Sequence, residues 1–408
     1  MSIYSKMKLS KYAIIRKNSK YTILGNTNNG KWIRISNELY NIFDKLFSKD
    51  GIEGVIENSK TRKLAKLLLD IEVIVENETE EDTIKVITFA ITNQCNLECI
   101  HCGFSANIRE VNELDTETII STISQFKNIE HIGITGGEPL LHKGFQEIAE
   151  YIGKNVRGTK TLMTNAVLIS EDNVELLINN FDNIAISIDA ASEEVCNEMR
   201  GHNVYNKVIS AINLLKSKNF NNISLSFVET EVNKKELEEF RELCKRLEVE
   251  PVIRKLFSTG RAMDNKNRLI SNNKYDDKKM KEKISIVEYR KNLKLATRCV
   301  AAVSSIYIQF NGDIYPCPVA GIEKNFRMGN IREIIDWNTF LSGRYEQTGF
   351  KNYADLAYNK LGNCSGCEVR DFCWRCLQEY YSIFPRGQMD SEECAIRKRI
   401  LMEIVWGD

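Results

Sequence analysis

The sequence has no run of about 18 apolar residues, so no part of it reads as a membrane-spanning helix. It has no net charge either. Its 56 Lys and Arg balance 56 Asp and Glu, so no global field argues for nucleic acid or a membrane as partner. The first residues, MSIYSKMKLSKYAIIRKNSK, carry lysines but no apolar signal core, and the expected location is the cytoplasm. No internal repeat and no low-complexity segment stands out. What is present is a chain of 408 residues, 43% hydrophobic and 27% charged, with the proportions of a globular protein of two or three domains. Twelve cysteines without an export signal argue for metal rather than disulfides.

Three of those cysteines organise the chain. Cys95, Cys99 and Cys102 lie within ITNQCNLECIHCG, directly after the β-branched run Ile84–Ile91, which reads as a buried strand. Three thiolates on one short loop can hold three irons of a cubane cluster and leave the fourth iron for a substrate or cofactor. The competing reading is a zinc knuckle, with His101 as its one candidate fourth ligand. One strand and helix later comes Thr135-Gly136-Gly137-Glu138-Pro139. Its glycines permit close backbone approach and Glu138 offers an acceptor.

The cysteine spacing, its place after a first strand and the GGEP segment resemble the radical S-adenosylmethionine enzymes, over about residues 84–256. The resemblance implies that the open iron binds S-adenosylmethionine and that one electron splits it, giving a 5′-deoxyadenosyl radical that abstracts hydrogen from the substrate. It implies that Gly136, Gly137 and Glu138 receive the methionyl amino group and that Ser187 and Asp189 of Ser187-Ile188-Asp189 contact the ribose. It implies that Arg200 pairs with the methionyl carboxylate, a task that suits a planar guanidinium. His101 and Asn165 join these cofactor contacts. Asn165 lies in Thr164-Asn165-Ala166, where the family has Thr-Asn-Gly; Ala does not readily take the left-handed backbone, so the turn is expected to differ locally. Cys196 and Cys244, on helical patterns without partners, read as inert packed thiols.

Alternating segments support a parallel sheet. Strand-like runs fall at Ile84–Ile91, His131–Ile134, Lys160–Met163, Asn183–Ile188, Ile223–Val228 and Val252–Arg254, with helical patterns near Thr116–Phe126, Gly144–Ile152, Asn173–Ile178, Tyr205–Ser217 and Lys235–Arg246. Six such units give the family's partial barrel, with functional residues at the C-terminal strand ends.

Residues 1–80 read as a separate module. Strands at Tyr12–Arg16, Tyr21–Leu24 and Trp32–Ile35 precede a helix capped by Ser36, with Leu39, Ile42, Phe43 and Leu46 as its apolar stripe. Two more helices, Ile52–Ile56 and Thr61–Leu69, and a strand at 71–75 complete it. The order resembles a winged helix and the peptide-recognition domain of ribosomal-peptide maturases, which implies that a precursor's leader adds a strand to the sheet edge. Residues 1–35 hold eight Lys or Arg and no acid, so DNA binding is the competing reading, with Lys60–Lys66 as its basic helix.

Residues 257–408 hold the other metal signal. After Gly260-Arg261-Ala262 and a charged stretch, Asn265–Lys294, read as surface helix and linker, come Cys299, Cys317, Cys364, Cys367, Cys373, Cys376 and Cys394. YIQFNGDIYPCP reads as a hairpin turning at Asn311-Gly312 and bringing Cys299 and Cys317 to one end. A zinc ribbon from Cys364, Cys367, Cys373 and Cys376 leaves the others unexplained. The pattern resembles the SPASM domain. That implies one auxiliary cluster on Cys364, Cys367, Cys373 and Cys394 and another on Cys299, Cys317 and Cys376, the second short of one cysteine.

The combined expectation is an α/β protein: a partial (β/α)6 barrel at 84–256, an N-terminal winged-helix module at 1–80 and a C-terminal linker and iron–sulfur SPASM domain at 257–408. The resemblance implies three 4Fe–4S clusters, S-adenosylmethionine as cofactor, a precursor peptide bound by its leader, and an electron donor such as flavodoxin or ferredoxin. Thioether formation is the expected chemistry. Carbon–carbon linkage, epimerisation and sulfatase-type protein maturation are the enzymatic alternatives, and a winged-helix iron–sulfur regulator is the non-enzymatic one.

Overall fold

A computed structural model of the chain describes residues 7–57, 59–77, 84–109, 111–257, 259–270, 293–295, 299, 301, 303–343, 346–354, 362–373, 376 and 391–407. The chain forms two compact units. One comprises Met1–Glu81, Tyr275–Cys299 and Leu356–Asp408, and the other Asp82–Lys274 and Val300–Asp355. No helix among the described residues is long and apolar enough to cross a membrane.

In the first unit, β1 (Lys8–Leu9) pairs antiparallel with β5 (Ile74–Val75), and β2 (Ala13–Lys17), β3 (Tyr21–Asn26) and β4 (Trp32–Ser36) form an antiparallel sheet in that order. The Ser36 hydroxyl accepts from the Leu39 amide at 3.2 Å and caps α1 (Asn37–Glu57). The break expected before Ile52 is absent: α1 continues through Gly51 and Gly54, because each mid-helix glycine costs only about 1 kcal/mol. The module therefore has two helices, α1 and α2 (Ser59–Asp70), where three were expected. Phe43, Tyr40, Leu64 and Leu68 pack on Leu24, Ile15 and Ile33 of one sheet face. Ile42, expected in that stripe, is 36% exposed, and Tyr40 and Phe47 serve instead.

The opposite face of the same sheet is also covered. Ile14, Tyr21, Ile23 and Trp32 pack against Val369, Phe372, Leu401, Val405 and Trp406, the last three from the C-terminal helix Ser391–Trp406. Residues 356–408 thus group with the N-terminal module, whereas one C-terminal block was expected over 257–408.

The second unit is built on parallel strands β6 (Val86–Ala90), β7 (His131–Thr135), β8 (Thr159–Thr164), β9 (Asn183–Ser187), β10 (Ile223–Glu229) and β11 (Glu250–Lys255), side by side in chain order. Helices α3 (Thr116–Ser124), α4 (Phe145–Asn155), α5 (Val174–Asn180), α7 (Val204–Ser217) and α8 (Leu237–Leu247) alternate with them. An unforeseen α6 (Glu193–Arg200) is capped by Ser192. Strand side chains such as Ile87, Phe89, Ile134, Ile186 and Phe227 are fully buried, as expected of a sheet covered by crossover helices. Beyond β6 the sheet continues: β12 (Ser305–Ile308) runs parallel to β6, followed by antiparallel β13 (Asp313–Tyr315) and β14 (Gly329–Asn330). The hairpin read in the C-terminal region is therefore part of the barrel sheet. Its turn includes Gly312 at φ +88°. Of the stretch Asn265–Lys294, read as surface helix and linker, the structure describes the helix Lys266–Leu269; residues 271–292 lie outside the described residues.

Candidate active site

The cysteine loop leaves β6 and is held along its length. Gly137 N–H donates to Thr92 O at 2.8 Å and Glu138 N–H to Gln94 O at 2.7 Å, which prolongs the pairing of β6 with β7. A Cβ on Gly136 would lie 2.4 Å from Thr92 O, and one on Gly137 2.2 Å from Gln94 O. The close approach that these glycines permit is thus to the cysteine loop itself. Further along, Cys95 N–H donates to Asn107 O and Ile100 N–H to Met199 O, each at 3.0 Å. Arg261 Nε donates to Cys99 O at 3.0 Å and Nη2 to Ala106 O at 2.7 Å, while Asn265 Nδ2 donates to Ile100 O at 3.2 Å. Gly260, at φ +52°, leaves no room for a Cβ against Gly103 O. The Gly-Arg-Ala element is therefore a latch on the loop. Sequence reasoning missed this, because nothing local ties it to a loop so far upstream.

Two of the three sulfurs sit among donors. Leu97 N–H is 3.4 Å from Cys95 Sγ, Asn165 Nδ2 3.8 Å from the same sulfur, and Arg200 Nη1 3.9 Å from Cys99 Sγ. Burial pushes the Cys95 thiol up to about 12. Burial also raises the Cys99 thiol, against the pull of Arg200. A metal-bound thiol is deprotonated outright, and N–H donors at these distances offset the charge that results. The donor set and its surroundings fit an iron–sulfur cluster.

Two expected cofactor contacts are turned inward. Asp189, at φ +61° and 0% exposed, lies between His101 Nε2, 2.9 Å from Oδ2, and the Arg200 guanidinium. Its Oδ1 accepts from Val228 N–H at 2.6 Å. Against the cost of burial, Arg200 and His101 hold the Asp189 carboxyl well below the usual carboxylate range. Asp189 and Arg200 thus form a buried ion pair beside the cavity. Ser187 remains as the residue of that motif that faces the cavity. The Glu138 carboxylate is likewise 0% exposed, accepting from Thr164 Oγ1 and Asn165 N–H at 2.8 Å and from Leu140 N–H at 3.2 Å. It ties β7 to β8. Burial pushes its carboxyl up to about 7. The turn after β8, expected to differ locally because Ala disfavours the left-handed backbone, takes that backbone all the same: Ala166 has φ +59°, and Asn165 Oδ1 accepts from Val167 N–H at 2.9 Å.

A cavity of about 360 Å³ opens at the C-terminal ends of the strands, lined by Thr135, Met163, Ser187, Val228 and Arg254 together with His101, Cys102 and Arg200. On its walls His101 Nδ1, Arg200 Nε and Thr259 Oγ1 are buried without hydrogen-bond partners among the described residues. Buried polar groups are ordinarily satisfied, so these atoms fit a polar ligand.

In the first unit, burial, with lesser contributions from Cys394, Cys373 and Cys367, raises the Cys364 thiol. Cys299 and Cys376 belong to this unit and Cys317 to the other.

The sequence and the fold resemble known proteins. Residues 89–244 match the radical SAM superfamily, and residues 299–368 the SPASM iron–sulfur cluster-binding domain. Mycofactocin maturase MftC of Mycolicibacterium smegmatis is 30% identical over 181 residues, 44% of this chain and 46% of the relative. The subtilosin biosynthesis protein AlbA of Bacillus subtilis is 27% identical over 265 residues, 60% of this chain and 56% of the relative. The chain thus spans about half the length of the curated relatives it matches. Among solved structures, Streptococcus suis SuiB bound to S-adenosylmethionine has a TM-score of 0.55 at 17% identity, covering 90% of this chain and 94% of that one. The anSMEcpe enzyme with bound AdoMet has a TM-score of 0.56 at 17% identity, covering 79% and 96%. These two likenesses concern the fold.

Proposed function

We propose that the protein is a radical S-adenosylmethionine enzyme that removes hydrogen from a ribosomally made precursor peptide and joins a cysteine sulfur to one of its carbons. The observation that carries this reading is the loop of Cys95, Cys99 and Cys102 beside a cavity with unpartnered polar atoms at the C-terminal strand ends. Those cysteines would hold a 4Fe–4S cluster with one iron left for the cofactor. When bound, cluster and cofactor supply a 5′-deoxyadenosyl radical that takes a hydrogen atom from the substrate. The chain's own part is positional. Arg200, anchored by Asp189, keeps a cation on the cavity wall for a carboxylate, and Ser187 presents a hydroxyl. Asn165 steadies Cys95, and Met163 and Val228 keep the wall apolar against water.

Relatives named for mycofactocin and subtilosin maturation support a peptide substrate. The leader would add a strand to the β2–β3–β4 sheet, whose outer strands pair with no further strand among the described residues. Two auxiliary four-iron clusters need one more thiolate than Cys299, Cys317, Cys364, Cys367, Cys373, Cys376 and Cys394 supply. We read the missing position as the place of a substrate cysteine, which favours a thioether. Flavodoxin or ferredoxin would exchange the electron in the cytoplasm.

The test is anaerobic. Reduced, iron-loaded protein should convert S-adenosylmethionine to 5′-deoxyadenosine, and the C95A/C99A/C102A variant should not, while keeping its auxiliary iron. Continued product from that variant would refute the assignment. Mass spectrometry of a small cysteine-containing peptide encoded beside the gene should show the loss of two hydrogens and of one titratable thiol. A retained thiol would move the reading to carbon–carbon linkage.

A further inference from the structure

We infer that the segment of the precursor this protein recognises is acidic, and that it is read along the open edge of β2 and in a basic cleft at that strand's end. This rests on the peptide-maturase reading and narrows its partner. Residues 1–35 contain eight Lys or Arg and no Asp or Glu. β2 pairs with β3 on one side and with no strand on the other among the described residues, so it offers main-chain donors and acceptors to an added strand.

The strand ends at a cleft of about 240 Å³ lined by Arg16 and Lys17 on one side and by Gly366, Glu368 and Arg370 on the other. The acids nearby are already engaged. Asp371, 1% exposed, takes the Arg16 guanidinium through both oxygens at 2.6 and 3.2 Å, and Glu368 lies 3.8 Å from Lys398 Nζ. Arg370 has no carboxylate partner among the described residues, and its Nε is buried without an acceptor. A carboxylate entering the cleft would meet that guanidinium while its main chain continues the ladder of β2. Side chains of a strand alternate, so acids at every second position would fall on the same side. A cleft of this size admits a side chain and not a duplex, and an open strand edge matches a peptide rather than a phosphodiester backbone. These two features favour a peptide over nucleic acid.

The experiment selects a displayed library of random short peptides on the full-length, iron-loaded chain. Asp or Glu should be enriched at alternate positions. A selected peptide should bind about tenfold more weakly to R370E, and its Glu-to-Lys counterpart should gain on that variant. R370Q, with iron content and circular dichroism unchanged, separates loss of charge from loss of structure and should show most of the weakening. Enrichment without acids, acidic peptides indifferent to both variants, or duplex DNA bound more tightly than any selected peptide would each overturn the inference. 5′-Deoxyadenosine is measured on the same preparation. Its formation without acidic preference removes only this inference, and its absence removes the reading beneath it.

Discussion

Ala166 holds a left-handed backbone at φ +59° that a residue with a Cβ enters at a cost of about 1 kcal/mol. A166G should therefore raise stability by about that amount, less the extra freedom glycine brings to the unfolded chain, read as a higher urea midpoint at constant slope. Glu138 gives a prediction in pH. Burial raises its carboxyl from 4.5 to about 7 in the folded protein. The folded state thus binds a proton more tightly than the unfolded one. Its contribution to stability is greatest below pH 4.5 and is lost as pH rises through about 7, by about 3 kcal/mol in total. In iron-free protein, E138Q should remove that part of the pH slope. A variant with the wild-type slope would show that another group is responsible. Asp189 pairs with the buried Arg200 guanidinium, so D189N should cost about 3 kcal/mol by leaving Arg200 buried and unpaired, read as a lower urea midpoint.

At the scale of elements, the cysteine loop has no regular structure of its own and borrows it from three neighbours: the glycines after β7, Met199 on α6 and the Arg261 latch. Gly137 cannot gain a methyl group without displacing Gln94. G137A should lower the iron bound by Cys95, Cys99 and Cys102 while the auxiliary iron stays, as counted by chelation in matched preparations. R261A removes two hydrogen bonds to loop carbonyls. It should leave iron loading intact but hasten iron loss to a chelator several-fold, and R261K should restore only part of the protection because lysine lacks the forked donors.

At the scale of the molecule, the N-terminal sheet is shared. Its helix-facing side gives the module the core expected from Leu39 and Phe43, but its other side is covered by the C-terminal helix and the segment between Cys367 and Cys373. Trp32 meets Phe372 edge-on at 4.8 Å and donates to Leu293 O at 2.7 Å, and Arg16 holds Asp371. Deleting residues 1–80 therefore uncovers Phe372 and Trp406 as well as removing the module proposed to bind the leader. We expect the truncated chain to lose iron from Cys364, Cys367, Cys373 and Cys394 and to become protease-sensitive after residue 356. It should still cleave S-adenosylmethionine, because the cysteine loop lies in the other unit. Undiminished auxiliary iron in the truncated chain would contradict this.

Local chemistry was enough to read the parallel strands, the cysteine loop and the helices between strands, because β-branched runs, glycine pairs and capping residues act over a few neighbours. The same holds for the Ser36 cap and for Gly312 at the hairpin turn. What required the tertiary structure was every pairing across distance. The sequence shows Asp189 and Arg200 as two polar residues suited to a ligand. Only packing brings them together with His101, where an isolated buried charge is more costly than a paired one. Glu138 turns inward because three donors converge on it, and Ala166 tolerates its strain because the surrounding hydrogen bonds hold the turn. The division of residues 257–408 between two units follows from surfaces the sequence does not display. The β12–β13–β14 strands complete an open sheet edge at β6, and the C-terminal helix covers the apolar face left by Ile23 and Trp32.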